Sequence, residues 1–423
     1  MKNVTQFEQR LKKLMLENSF AEAKRLSGSI LEHYPDNKLA HHALIQYFYR
    51  FNMFNDCLKQ CLKLLFFVPE DELAIRFQVL LLMESKEYLS AKSRVNFYLS
   101  KLGVNEEILL LKAEISVCLQ DFEDALITYQ ELYNFSPEYF SLKTKNIRRS
   151  SKQHFDNVSN LLKRNAYMRV QPCGATSKRL DSAIKCFFGL KKFVRNHEFQ
   201  KGSFFNVPEL SAKPFYNLDE IIGLRSFVDV IRSNMASLKL IIKETDKENY
   251  IDTIDSKSME REWLLLSKKW QSIHLLKSKR KCKATSEIEQ FQKIFENHLV
   301  ADCPPHAPEA FISLLPSDTV IPPHYGLSNV KLTVHIPIFV DKLSSITVGG
   351  KTVTWGAEAA IVFDDSFLHS ANNQSSNSRA VLIFDIWHPE LTIEEKQGIR
   401  DFMSIYDSWS QEYGQLSKAI ELL

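Results

Sequence analysis

The chain has 423 residues, 44% of them hydrophobic and 25% charged, with a formal net charge of +3. That length allows two or three domains that each bury a core, and a charge so near neutral gives no ground for a nucleic-acid or membrane-surface partner. There is no 18-residue apolar run and no apolar core behind the amino-terminal MKNVTQFEQRLKKLML, so the expectation is a cytoplasmic protein without a membrane anchor.

In the first third, shifting the sequence by 34 residues aligns Phe20, Phe54, Tyr88 and Phe122, with Ala23, Cys57, Ala91 and Ala125 three residues later. Pro35, Pro69 and Pro137 recur at the same interval, with Gly103 in the remaining place. The small residue lets two helices approach and the proline stops the second of them. This pattern resembles the tetratricopeptide repeat and predicts an α-solenoid over residues 1–140, whose concave face would capture a peptide or protein substrate or partner. Cys57 and Cys61 lie one helical turn apart and read as small packing residues; the seven cysteines contain no CxxC pair and form no disulfide or zinc pattern.

Residues 141–200 are polar and basic and read as a helical connector, with helices at Asn157–Lys163 and Leu180–Val194 separated by QPCGATS. FFNVPELSAKPFYN follows as an extended entry to the last domain, residues 201–423. Ile221, Ile222, Leu224, Phe227, Val228, Val230 and Ile231 have helical spacing, which predicts a helix over Leu218–Lys243 packed on a sheet. A strand or short helix at REWLLLSKKW, a solvated basic cluster around Lys277–Lys283, a helix over Glu287–His298 and a turn at Pro304-Pro305-His306 come next.

From Phe311 the period becomes 2. Leu332, Val334, Ile336, Ile338 and Val340 form one apolar face, while Lys331, Thr333 and His335 share the other. Further short strands are expected at Ser345–Val348, Thr352–Trp355, Ala359–Phe363 and Arg379–Trp387, with Gly349-Gly350 as a hairpin turn. Such a series suggests a jelly-roll or cupin-like barrel, so the chain as a whole is α+β. His324 and His369 stand at the ends of β-patterned runs, and Arg379 follows ten residues after the second. Two histidines suit an iron site, but the carboxylate of the usual facial triad is missing: its place, two residues after His324, is Gly326.

The segments PHYGLSN, KLTVH, FDDSFLH and SRAVLIFDIWHPEL resemble the aspartyl/asparaginyl β-hydroxylase family over roughly Ser313–Leu391. The resemblance implies a double-stranded β-helix and a dioxygenase that uses Fe(II), 2-oxoglutarate and O2. It implies that His324 and His369 ligate the iron, with water in place of a carboxylate. Arg379 and Ser313 would hold the distal carboxylate of 2-oxoglutarate, and His335 the carboxylate nearest the metal. His324, His369 and Arg379 are then the catalytic set, and Asp364 and Asp365 orient the turn that carries His369. The arginine usual two positions before His335 is Thr333 here, and Lys331, on the same strand face, is the candidate cation in its stead. A binding protein with a vestigial barrel is the alternative reading, and Thr333 is its support.

Overall fold

The computed structural model describes residues 2–140, 149–174, 177–245, 251–252, 266, 270–277, 285–303, 307–356 and 360–420. It divides into two compact units, residues 1–162 with 413–423, and residues 163–412.

The first unit holds α1 (Lys2–Leu16), α2 (Phe20–His33), α3 (Lys38–Arg50), α4 (Phe54–Phe67), α5 (Glu72–Glu84), α6 (Tyr88–Leu102), α7 (Glu106–Cys118) and α8 (Phe122–Phe135), with the start of α9 (Arg149–Gly174). The 34-residue interval is written into the backbone. Asn37, Asp71 and Asn105 cap α3, α5 and α7, each side chain accepting from the backbone N–H three residues on. Asn18, Asn52, Lys86 and Gln120 all turn the chain with positive φ, between 55° and 62°, before α2, α4, α6 and α8. The small residues Ala23, Cys57, Ala91 and Ala125 are buried where neighbouring helices meet. Gly103 takes a left-handed φ of 83° at the end of α6, which explains why glycine can replace the terminating proline there.

The second unit contains α10 (Lys178–Phe187), α11 (Leu224–Ser233), α12 (Met235–Glu244), α13 (Ser286–Ile294) and the start of α14 (Ile393–Ala419). Its strands are β1 (Phe215–Tyr216), β2 (Ile251–Asp252), β3 (Gln271–Lys277), β4 (Glu309–Leu315), β5 (Thr319–His324), β6 (Lys331–Phe339), β7 (Ser344–Val348), β8 (Lys351–Thr354), β9 (Ile361–Phe363), β10 (His369–Asn373) and β11 (Arg379–Trp387). They form a seven-stranded sheet, β1-β9-β6-β11-β4-β3-β2, and a four-stranded sheet, β5-β10-β7-β8, with antiparallel neighbours throughout.

One face of the larger sheet, including Leu332, Val334, Ile336, Leu382 and Phe384, packs on Leu224, Phe227, Ile231, Leu238 and Phe291 from α11, α12 and α13. The other face meets the smaller sheet through Leu315, Phe363 and Val381 against Ile321, Ile346, Val348 and Ala371. The period-2 pattern thus separates a helix-covered side from a side that faces the second sheet. No helix among the described residues is long and apolar enough to cross a membrane.

Several local expectations shift. The single helix expected over Leu218–Lys243 is a 3-10 turn plus α11 and α12, divided at Asn234. The helix expected at Asn157–Lys163 is part of the longer α9, and that at Leu180–Val194 stops at Phe187, before Gly189 turns the chain with φ 65°. REWLLLSKKW, apart from Leu266 and Trp270, and Pro304–His306 lie outside the described residues, and β3 begins directly after the first of these stretches.

Candidate functional site

β5 and β10 are adjacent and antiparallel, and their register sets His324 opposite His369. The ring centroids are 4.0 Å apart. In each ring Nδ1 lies 2.8 Å from the carbonyl of the residue two before it, Pro322 or Phe367, and must carry the hydrogen it donates. In the neutral rings the lone pairs are therefore on Nε2. Burial lowers the pKa of both, and for His369 burial and the neighbouring His324 bring it to about 3. The pair is neutral at pH 7, the state in which imidazole binds a metal.

The two histidines line a cavity of about 190 Å³ whose walls come from both sheets. Arg379, at the start of β11, is 2% exposed. Its guanidinium lies 4.8 Å from the ring centre of Trp355, and Nε and Nη1 have no hydrogen-bond partner among the described residues. Burial lowers its pKa only to about 10, so it remains a cation. Two buried donors without acceptors are costly unless an anion completes them. Ser313 faces the same cavity from β4, opposite Val381 of β11, and its Oγ accepts a 2.9 Å bond from Trp270 Nε1. The hydroxyl hydrogen of Ser313 stays available to a second acceptor.

His335 on β6 is buried, lies nearly parallel to Trp355 with centroids 6.1 Å apart, and meets Phe363 edge-on at 4.9 Å. Burial, then Arg379 and His369, hold its pKa well below the usual histidine value. Lys331 and Thr333 share its strand face but are engaged otherwise. Both bond to Asp385 on the neighbouring β11, Thr333 Oγ1 donating at 2.8 Å, and Lys331 Nζ also lies 3.8 Å from Asp365. Burial alone would lower the Lys331 pKa, yet the two carboxylates hold it above its ordinary value. Lys331 is thus a neutralised cation, in contrast to Arg379. Asp385 also lines the cavity, as does Glu309, which pairs with His274 at 3.4 Å and Lys277 at 3.6 Å. Neither was legible beforehand, since a carboxylate in a strand carries no signal of which side chain neutralises it.

Asp364 and Asp365 lie in the turn between β9 and β10. Asp364 Oδ1 accepts from the backbone N–H and the hydroxyl of Ser366, which shapes the turn leading to His369. Burial raises the pKa of Asp364 to about 6 and that of Asp365 to about 7, the latter in spite of Lys331. Gly326 donates its N–H to Asp365 O at 2.7 Å. A Cβ built on Gly326 would fall 2.2 Å from Asp365 Cγ and Oδ2. Glycine stands after His324 because the carboxylate of Asp365 occupies the volume that a side chain there would need.

The donor chemistry fits a metal bound by two imidazoles, each with its second nitrogen fixed by a carbonyl. Among the described residues no group of three or more His, Cys, Asp and Glu is arranged to hold a metal ion.

Two packed antiparallel sheets covered by helices, with a histidine pair and a buried arginine facing a common cavity, define an α+β protein whose site lies between its sheets. Residues 227–389 match the family model described as aspartyl/asparaginyl beta-hydroxylase. The human aspartate beta-hydroxylase domain-containing protein 2 is 26% identical over 48% of this chain and 55% of its own length. The mouse aspartyl/asparaginyl beta-hydroxylase is 24% identical over 47% of this chain and 26% of its own. The human aspartyl/asparaginyl beta-hydroxylase is 33% identical over a shorter stretch, 21% of this chain and 12% of its own. The chain spans about half the length of the domain-containing relatives it matches.

Proposed function

We propose that this chain is an Fe(II)- and 2-oxoglutarate-dependent dioxygenase that hydroxylates the β-carbon of an aspartyl or asparaginyl residue in a peptide or protein, or of a related small molecule. The observation that carries the reading is one cavity lined by a neutral histidine pair and a buried arginine with two nitrogens that have no partner among the described residues. The names of the relatives point to the same class of reaction.

In this reading His324 and His369 hold Fe(II) through Nε2. When bound, iron, 2-oxoglutarate and O2 supply the oxidising power that replaces a C–H bond by C–OH, with succinate and carbon dioxide as the other products. Arg379 takes the distal carboxylate of 2-oxoglutarate on its planar donors, and the Ser313 hydroxyl donates to the same group. His335 contacts the carboxylate nearer the iron. Trp355 and Phe363 exclude water from that end of the cavity and set the plane of His335. Lys331, neutralised by Asp385 and Asp365, shapes the opposite wall and contributes little net charge to the co-substrate. We read the two sheets as a double-stranded β-helix of the jelly-roll type. The 34-residue helix pairs are read as tetratricopeptide-like repeats that recruit the peptide or protein substrate.

A second reading has one observation in its favour. Thr333 and Lys331 are both committed to Asp385, which leaves Arg379 as the cation with open donors among the described lining residues. A repeat-bearing scaffold with an impaired barrel would have this composition. Anaerobic addition of Fe(II) and 2-oxoglutarate separates the two. The oxygenase reading requires a visible charge-transfer band that disappears in His369→Ala, and succinate formation that is lost in Arg379→Ala. A band that survives His369→Ala overturns the ligand assignment; no band and no succinate favour the scaffold.

A further inference from the structure

Both histidine-bearing loops are held by one extended segment, residues 199–207. At one end Leu368 N donates to Phe199 O at 2.8 Å and Lys201 N to Ser366 O at 2.7 Å. At the other, Ser203 N and Oγ both donate to Gly326 O at 3.0 Å, and Phe204 N to Leu327 O at 2.8 Å. Asn329 closes the segment reciprocally, accepting from Val207 N and donating to Val207 O, each at 2.8 Å. The segment therefore bonds on both sides of the histidine pair, and Gly326 N to Asp365 O joins the two loops directly.

Its one buried polar side chain is Gln200, 4% exposed. Gln200 Nε2 donates to Asp364 Oδ2 at 2.9 Å and lies 3.1 Å from Ser366 Oγ. Asp364 Oδ1 is already taken by Ser366, so Gln200 completes the second oxygen of a buried carboxylate. The ring separation of the histidines is set where their strands end, and strand ends fray unless their loops are bonded elsewhere.

From this geometry we infer that residues 199–207 act as a strap that fixes the spacing of His324 and His369, with Gln200 as its principal positioning residue. This rests on the reading of the two histidines as metal ligands. Removing the Gln200 donor leaves one Asp364 oxygen buried without a partner, and the turn delivering His369 relaxes. Outer hydrogen-bond partners of metal ligands are worth roughly 10- to 100-fold in metal affinity, and Gln200 acts through one further residue, so about tenfold is expected.

The test is calorimetric titration of the whole chain with Mn(II), with and without saturating 2-oxoglutarate. Gln200→Met keeps the volume and removes the donor; it should weaken Mn(II) binding about tenfold and leave 2-oxoglutarate affinity at saturating Mn(II) within about threefold, because Arg379 and Ser313 lie on β11 and β4. Gln292→Met, which removes a donor to Leu275 O on the helix-covered side, controls for lost stability and should leave Mn(II) affinity unchanged. If Gln200→Met does not fold, Ser203→Ala is measured in its place; it removes the Oγ–H donor to Gly326 O, leaves the backbone donor, and should weaken Mn(II) binding about threefold. Wild-type affinity in a folded Gln200→Met, or in Ser203→Ala where Gln200→Met does not fold, overturns the strap. No Mn(II) binding by wild type overturns the metal reading and the strap with it, whereas wild-type binding lost in His369→Ala and unchanged in Gln200→Met removes the strap alone.

Discussion

Gly326→Ala is the substitution on which the geometry of the site bears most directly. A methyl group at this position would overlap the Asp365 carboxylate at 2.2 Å, far inside van der Waals contact, and that carboxylate is only 14% exposed. The chain can respond by moving Asp365 away from Lys331, now 3.8 Å distant, or by shifting the Gly326 backbone off Asp365 O. Overpacking of this kind costs about 1–3 kcal/mol. For a unit of this size each kcal/mol lowers the Tm by about 2–4 °C, so a 2 kcal/mol loss appears as about 4–8 °C. The assay is thermal unfolding of Gly326→Ala, Asp365→Ala and the double variant. Removing the Asp365 carboxylate makes room for the methyl group, so the double variant should be more stable than the sum of the single losses predicts, with a coupling of about 1–2 kcal/mol. Additive losses, or a Gly326→Ala Tm within 1 °C of wild type, would refute the claim that Asp365 is the reason for glycine at this position.

Arg379→Ala should weaken 2-oxoglutarate binding about 100-fold, since two charge-assisted hydrogen bonds at about 1.5 kcal/mol each are removed, and Arg379→Lys should restore little because it lacks the planar fork; equilibrium dialysis at saturating metal measures both. Acidification should destabilise the second unit. His369 is neutral when folded, with a pKa of about 3, and ordinary when unfolded, so the unfolded chain binds the extra proton and stability falls from about pH 6.5 towards pH 3, by about 1.4 kcal/mol at pH 5.5; denaturant midpoints across this range measure it. Asp71 in the helical unit is fully buried; burial would raise its pKa, but His42, the Ala74 N–H and Lys38 hold it well below the carboxylate range, so its contribution is present above pH 4 and lost as pH falls further. Asp71→Ala should cost about 2–3 kcal/mol, from the lost α5 cap and the partly buried His42 left without its acceptor, read from urea unfolding followed by circular dichroism.

The parts of this protein legible in its sequence are those governed by short-range periodicity. The 34-residue interval predicted paired helices over the first third, and in the structure Phe20, Phe54, Tyr88 and Phe122 each open a helix behind a left-handed turn. The alternation in β6 sorted Leu332, Val334 and Ile336 from Thr333 and His335, and the structure sends the first set towards the helices and the second into the cavity. What the sequence could not supply is pairing across distance. That Lys331 is neutralised by Asp385, 54 residues on, depends on β6 and β11 lying side by side. Glycine at position 326 read as an absent ligand, while its spatial cause, Asp365, lies 39 residues away and meets it only when β5 and β10 pair. Helix breaks also escaped notice, because Asn234 interrupts an apolar pattern that continues on both sides of it.

The segment 199–207 and strand β1 both precede residue 227, where the match to the family begins. A shortened chain starting at that boundary would retain His324, His369 and Arg379. It would also leave the edge of β9 unpaired, the backbone N–H of Asp364 without Pro214 O, and Asn329 without Val207. The family match therefore includes His324, His369 and Arg379 but not the segment hydrogen-bonded to the loops beside the two histidines, and a shortened form that keeps those bonds begins ahead of Phe199.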